Sequence, residues 1–260
     1  MITSRTRALF IAALLSLFCL VVNGQDRNEK NKNKNNDKTG KGVGSQVVDS
    51  GSFGIFVNGK RIGTETFRIE QGTDVSVASS QIKIDNGSAR SEQSSEMRVA
   101  PNGNLQLYTW RATVPLKEES VIEPNEQFIV EHITFPDQKK QDVPYVLPLS
   151  TVVLDDNFFS QREILVWRYL ATGCTPQDGQ LRCGPARFGI LVPRQHVSST
   201  VDVELLGREK ISVKGVDKEL NKIRVTTESV QWLLWVADQD ESYKVIKMAV
   251  PASNAEIIRD

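Results

Sequence analysis

Histidine is nearly missing from this chain, with only His132 and His196 among 260 residues, and cysteine is limited to Cys19, Cys174 and Cys183. Two histidines without an H-x-x-x-H spacing supply too few nitrogen ligands for a zinc site and leave a Ser-His-Asp hydrolase short of a base. The nucleophile elbow G-x-S-x-G does not occur either. Long apolar runs are also lacking: the longest, Ala8 to Val22, is about 15 residues, short of the ~20 that span a bilayer as a helix. Nor does charge of one sign prevail, since 32 basic residues face 32 acidic ones. Without residues 1–24 the chain loses Arg5 and Arg7 and stands at −2, and residues 43–260 alone stand at −5. A mildly acidic domain has no electrostatic footprint for nucleic acid.

What is present begins with a processing signal. Arg5 and Arg7, the apolar run and the small residue of Val22-Asn23-Gly24 before Gln25 predict a cleaved secretory signal peptide over 1–24, hence export to the periplasm or the extracellular space and no membrane span after cleavage. Residues 25–46, rich in Asn, Lys and Gly, cannot bury enough apolar surface to offset chain entropy and read as a disordered linker. Export also sets the redox compartment, so Cys174 and Cys183 are expected to form a disulfide around TPQDGQLR.

The remainder, 47–260, reads as one β-rich domain organised around a single helix. Asn58-Gly59 and Asn86-Gly87 are hairpin turn signals, and alternation on either side of them predicts strands. Val75 and Val77 on one parity and Ile82 and Ile84 on the other predict a bulge near Ser79-Ser80. The strand 90–99 is polar through Ser91, Gln93 and Ser95, which predicts one wet face, whereas Val230 to Ala237 is apolar on both parities and predicts that Trp232 and Trp235 are both buried. Between the two runs of strands lies a helix, about 156–171, with Asp155 or Asp156 as its cap. Its apolar stripe carries Phe158, Phe159, Leu165, Val166, Tyr169 and Leu170, while Ile164 and Trp167 fall off the stripe. The expected fold is mostly β: a curved antiparallel sheet, half-barrel or open barrel, wrapped on one central helix.

Two stretches carry a resemblance. The opening hairpin, with G-x-x-I-G-x-E-x-F over Gly59, Ile62, Gly63, Glu65 and Phe67, and the segment LPLSTVVLDDNFFSQ before the helix resemble uncharacterised secreted bacterial families classed as domains of unknown function. Those families are distantly similar to the half-barrel of the periplasmic lipoprotein carriers, which implies a curved sheet with an apolar concavity for acyl chains. The resemblance brings no catalytic residues with it.

Carboxylate chemistry needs only two acids ~5–9.5 Å apart, and Asp155 with Asp156 and Asp238 with Asp240 are the visible pairs, better explained as a cap and a hairpin tip. Neither a catalytic site, a metal nor a cofactor is expected. The function that follows is non-catalytic binding of an apolar or amphipathic ligand, such as a lipid or another envelope component. The alternatives are a structural or partner-binding envelope protein with a filled core, and a polysaccharide-active enzyme. Arg162 stands out because it falls inside the apolar stripe beside Phe158 and Tyr169. A guanidinium there must reach water, pair with an acid such as Glu65 or Glu131, or meet an anionic ligand group, and Arg162, Phe158 and Tyr169 are therefore the candidate ligand-binding residues.

Overall fold

The computed structural model describes residues 45–260 apart from 127, 156, 178 and 179. The signal peptide, almost all of the linker and Asp156 lie outside the described residues.

Asn58 and Gly59 have φ of 51° and 76°, the left-handed pair that a two-residue hairpin requires and that Asn-Gly adopts at little cost. That turn joins β1 (Gln46–Val57) to β2 (Lys60–Gln71). The chain then continues strand by strand through β3 (Ser76–Asp85), β4 (Arg90–Val99), β5 (Leu105–Val114), β6 (Glu118–Asn125), β7 (Phe128–Thr134) and β8 (Lys140–Tyr145), each pairing antiparallel with the one before. A short strand β9 (Val152–Val153) and the helix α1 (Ser160–Gly173) follow. The strands β10 (Cys174–Gln177) and β11 (Gln180–Cys183) form a separate hairpin. A second meander comprises β12 (Ala186–Val192), β13 (Val197–Val213), β14 (Val216–Thr226), β15 (Gln231–Val236), β16 (Val245–Val250) and β17 (Ala255–Arg259). The last strand pairs antiparallel with β1, from Phe53 opposite Arg259 to Val57 opposite Ala255. The two meanders thereby merge into one curved, open 15-stranded sheet, edged by β8 at one end and by β9, parallel to β12, at the other.

Hairpin connections explain this order, because neighbours in sequence close the shortest loops. One face of the sheet carries the core: Phe53 and Ile55, Phe67 and Ile69, Ile82, Met97, Tyr108, Ile122, Ile129, Val203, Ile223, Leu234, Met248 and Ile257 belong to a single apolar cluster with Phe158, Leu165, Val166 and Tyr169 of the helix segment. A smaller cluster of Leu220, Trp235, Ala237 and Ile246 lies apart from it.

Several expectations need correction. No bulge interrupts β2 and β3, whose register runs unbroken from Gly63 opposite Ile84 to Glu70 opposite Val77. Ala78, Ser80, Ile82 and Ile84 hold one face throughout, with Ser80 bonded to Glu65 and Ala78 on the wall of a cavity. The polar face of β4 is not wet, because Gln93, Ser95 and Met97 are buried. Trp235 is buried at 8% exposure, but Trp232 is only half-buried. The helix starts at Ser160, four residues later than expected.

Candidate functional site

The late helix start has a cause in β2. The N-cap residue Phe159 makes no side-chain cap. The carboxylate comes instead from Glu65, fully buried, which accepts hydrogen bonds from Phe159 N at 2.8 Å, Ser160 N at 3.3 Å and Ser160 Oγ at 2.8 Å, with Ser80 Oγ as a further donor. A free helix N-terminus presents unpaired N–H groups and positive potential, so an acid from a distant strand fixes the helix to the sheet. Burial raises the Glu65 pKa, and the hydrogen bonds from Ser80, Ser160 and Phe159 oppose that rise. Asp155, expected as the cap, serves differently: its backbone N donates to Gln161 Oε1 at 2.6 Å and its Oδ2 accepts from Tyr108 at 3.1 Å. Gln93 completes the polar collar, accepting from Trp110 Nε1 at 3.0 Å and Asn157 Nδ2 at 3.3 Å. The two stretches that carry the resemblance are thus in contact. Gly63 of the same motif allows close strand approach, since a Cβ there would lie 2.7 Å from Lys83 O, and Phe67 stacks on Phe53 at 5.0 Å.

The three ligand-binding candidates lie in the interior. Phe158 and Tyr169 are fully buried, and the Tyr169 hydroxyl donates to Gly184 O at 2.9 Å while accepting from Leu205 N at 3.0 Å. Arg162 is 2% exposed; its Nη1 donates to Asp155 O at 3.1 Å and Phe158 O at 3.3 Å, and its guanidinium lies 4.0 Å from the Trp232 ring centroid and 5.5 Å from that of Phe159. Backbone carbonyls and aromatic faces therefore satisfy much of the charge.

A cavity of about 750 Å³ opens on the other side of the helix. Its helical wall is Ile164, Trp167, Leu170 and Ala171, and its sheet wall includes Val48, Ile69, Ala78, Met97 and Val99. None of Phe158, Arg162 and Tyr169 lines it. Ile164 and Trp167 are the residues that fail to fit the buried stripe of the sequence, and here they form the wall of an apolar cleft. Trp167 is held in place by donating from Nε1 to Tyr243 O at 3.2 Å. Cys174 and Leu181, from the β10–β11 hairpin, also border the cleft. Cys174 and Cys183 are directly opposite in that hairpin, with sulfurs 2.08 Å apart.

Behind the cleft lies an ionic cluster that the sequence did not reveal. Arg259 Nη2 reaches Asp49 Oδ2 at 2.7 Å and Glu163 Oε2 at 2.6 Å, Lys244 reaches Asp49 at 3.1 Å, and Val245 N donates to Glu163 Oε2 at 3.1 Å. Burial, then the neighbouring Asp49, pushes the Glu163 carboxyl well above the usual range despite Arg259. Burial also acts to raise Asp49, but hydrogen bonds from Glu163, Arg259 and Lys244 and the Arg259 charge bring it down to about 2. Among the described residues Glu163 Oε1 has no donor within hydrogen-bond distance. A proton on Glu163 directed at an ionised Asp49 reconciles these facts.

A second cluster gathers Glu131, fully buried, with Ser120 at 2.5 Å, Tyr145 at 2.7 Å and His196 at 3.1 Å. Here a buried acid on β7 engages a histidine that follows β12, so residues near the two ends of the sheet are tied together. The other histidine, His132, is half-buried and faces Asp142 at 2.8 Å. An S-x-x-K spacing, Ser80 to Lys83, sits on β3, where three residues' separation sends the two side chains to opposite faces, one to Glu65 and the other to Glu92. Asp238 is engaged by Arg208 at 2.8 Å and Asn221 at 2.8 Å. No cluster of three potential metal ligands occurs among the described residues, nor any helix long and apolar enough to cross a membrane.

No family model matches the chain, and no curated protein does. Among solved structures it is similar to the crystal structure of a beta-barrel-like protein of domain of unknown function DUF1849 from Brucella abortus, with a TM-score of 0.50, 6% identity, and coverage of 81% of this chain and 94% of that one. At that identity the likeness is one of fold alone: a mostly β, beta-barrel-like chain.

Proposed function

We propose that this chain is an exported, non-catalytic binding protein for an apolar or amphipathic ligand of the lipid class, held in the cleft between α1 and the sheet. In this reading the curved sheet wraps the helix, and the helix divides the interior into a packed side and an open one. Hydrogen bonds that reach the helix and its lead-in from β2, β4, β5, β13 and β17 support the wrapping. The observation that carries the ligand is the apolar lining of the cavity of about 750 Å³, a volume within the range of small-molecule sites. Burying ten methylenes there supplies ~8 kcal/mol at ~0.8 kcal/mol per CH₂, and the affinity is what remains of it after the costs of association.

A second reading, a structural or partner-binding protein with a filled interior, is favoured by the complete burial of Phe158, Leu165, Val166 and Tyr169. Solvent extraction and native mass spectrometry of the protein isolated from its own source separate the two: a stoichiometric lipid supports the first, and its absence the second.

A further inference from the structure

Next to the helical wall of the cleft, though not itself among the residues that line it, stands a cation whose surroundings differ from those of the arginines on the sheet. Arg68, Arg98 and Arg187 each hold a carboxylate at 2.6 to 2.8 Å. Arg168 does not. It follows Trp167 and precedes Leu170 on α1, both of which line the cavity. Its guanidinium lies 5.7 Å from the Phe188 ring centroid, and a Cβ on Gly103, a lining residue in the turn between β4 and β5, would come within 3.9 Å of its Nη1. The side chain is half-buried, burial lowers its pKa, and among the described residues no acid is bonded to it. A partly desolvated guanidinium beside an apolar cavity is poised for a planar anion, because its fork matches a carboxylate or phosphate and the cost of desolvation is already met by the fold. The acid that also lines the cleft, Glu70, is held by Arg68 at 2.8 Å.

We propose that Arg168 is the headgroup anchor of the cleft, binding the carboxylate or phosphate end of an anionic amphiphile whose alkyl chain lies along Trp167, Ile164 and the facing strands. This rests on the cleft being the ligand site, and it names the class of ligand that site selects.

The test titrates the full chain with three probes of equal chain length: dodecanoate, dodecyl phosphate and dodecanol. Wild type should bind at least one anion ten- to hundred-fold more tightly than the alcohol, the gain a charge-assisted hydrogen bond gives in a partly buried site. Which anion binds more tightly distinguishes a fatty-acid from a phospholipid type of headgroup. Arg168→Met should lose that preference while keeping dodecanol affinity within about twofold, and Arg168→Lys, which retains the charge without the fork, should fall between. Equal wild-type affinity for alcohol and anions, or an undiminished preference in Arg168→Met, overturns the anchor. Should Arg168→Met fail to fold, the wild-type ratio and the Lys variant still decide. Binding of none of the three probes sinks the cleft itself, whereas dodecanol binding with no gain for either anion sinks Arg168 alone.

Discussion

Replacing Glu65 by Ala should be among the most damaging single changes in the molecule, although the residue sits in a strand and touches no ligand. The substitution orphans two backbone N–H groups, those of Phe159 and Ser160, and takes the partner from the hydroxyls of Ser80 and Ser160. Each buried N–H left without an acceptor costs about 1–3 kcal/mol, and removing an anion from a helix N-terminus adds up to ~1 kcal/mol. Against this, the variant no longer has to desolvate a carboxyl whose pKa burial raises, and hydroxyls can rotate to new partners. The balance is a loss of about 3 kcal/mol, out of a typical total of ~5–15 kcal/mol. For a domain of this size that lowers the Tm by roughly 6–12 °C. Glu65→Gln keeps the volume and one acceptor oxygen but turns an NH₂ toward a donor, so it should cost about half as much. Urea unfolding followed by far-UV circular dichroism measures both. A loss below ~1 kcal/mol for Glu65→Ala, or a larger loss for Gln than for Ala, would refute the idea that this acid caps the helix.

Glu163→Gln tests the shared proton. Glu163 has a folded pKa raised by burial and by Asp49, so from about pH 4.3 upwards, until its folded carboxyl ionises, the folded state binds more protons and stability falls as pH rises, by up to ~1.4 kcal/mol per pH unit. Gln fixes the protonated form, so wild type should lose stability relative to the variant as pH rises above about 4.3, and parallel profiles would contradict this. Asp49 works in the opposite sense, since its contribution is present above about pH 4 and disappears as pH falls towards its folded value of about 2. Trp235→Ala should cost about 3 kcal/mol, because the ring is buried beside Leu220 and Ile246 and donates to Glu209 at 2.6 Å, while Trp235→Phe should cost about 1 kcal/mol; similar losses for the two in urea unfolding would mean that the indole N–H, not the packing, matters.

The elements that local chemistry controls were legible in the sequence. Asn58-Gly59 encodes its own turn, the helix stands out by its periodicity, and Cys174 and Cys183 meet as expected. What was not legible depends on partners far away in sequence. The helix start was misplaced because its acid is on β2, 94 residues earlier, and not in the Asp155-Asp156 pair beside it. The polar face of β4 reads as wet because a sequence cannot distinguish Gln93 in water from Gln93 bonded to Trp110 and Asn157. The slip that Val75 and Val77 suggest on β3 is absent because Ala78 and Ser80, small or polar, continue the face of Ile82 and Ile84. At the site, Arg162 drew attention as a charge within an apolar stripe, yet the cleft lies on the face of Ile164 and Trp167. Their departure from the stripe was the available signal, since an apolar residue off a buried face needs a second surface to cover it.

Ligand occupancy of that cleft is the measurement closest to the central claim. Wild type and Ala171→Trp, which places an indole in the cavity from an exposed lining position, would be isolated from the same source cells, checked for equal melting temperature, and compared by native mass spectrometry and solvent extraction. The account predicts about one equivalent of an amphiphile on the wild type and at least a tenfold drop in the variant. Equal loading of both proteins, or no extractable lipid from either, would contradict it.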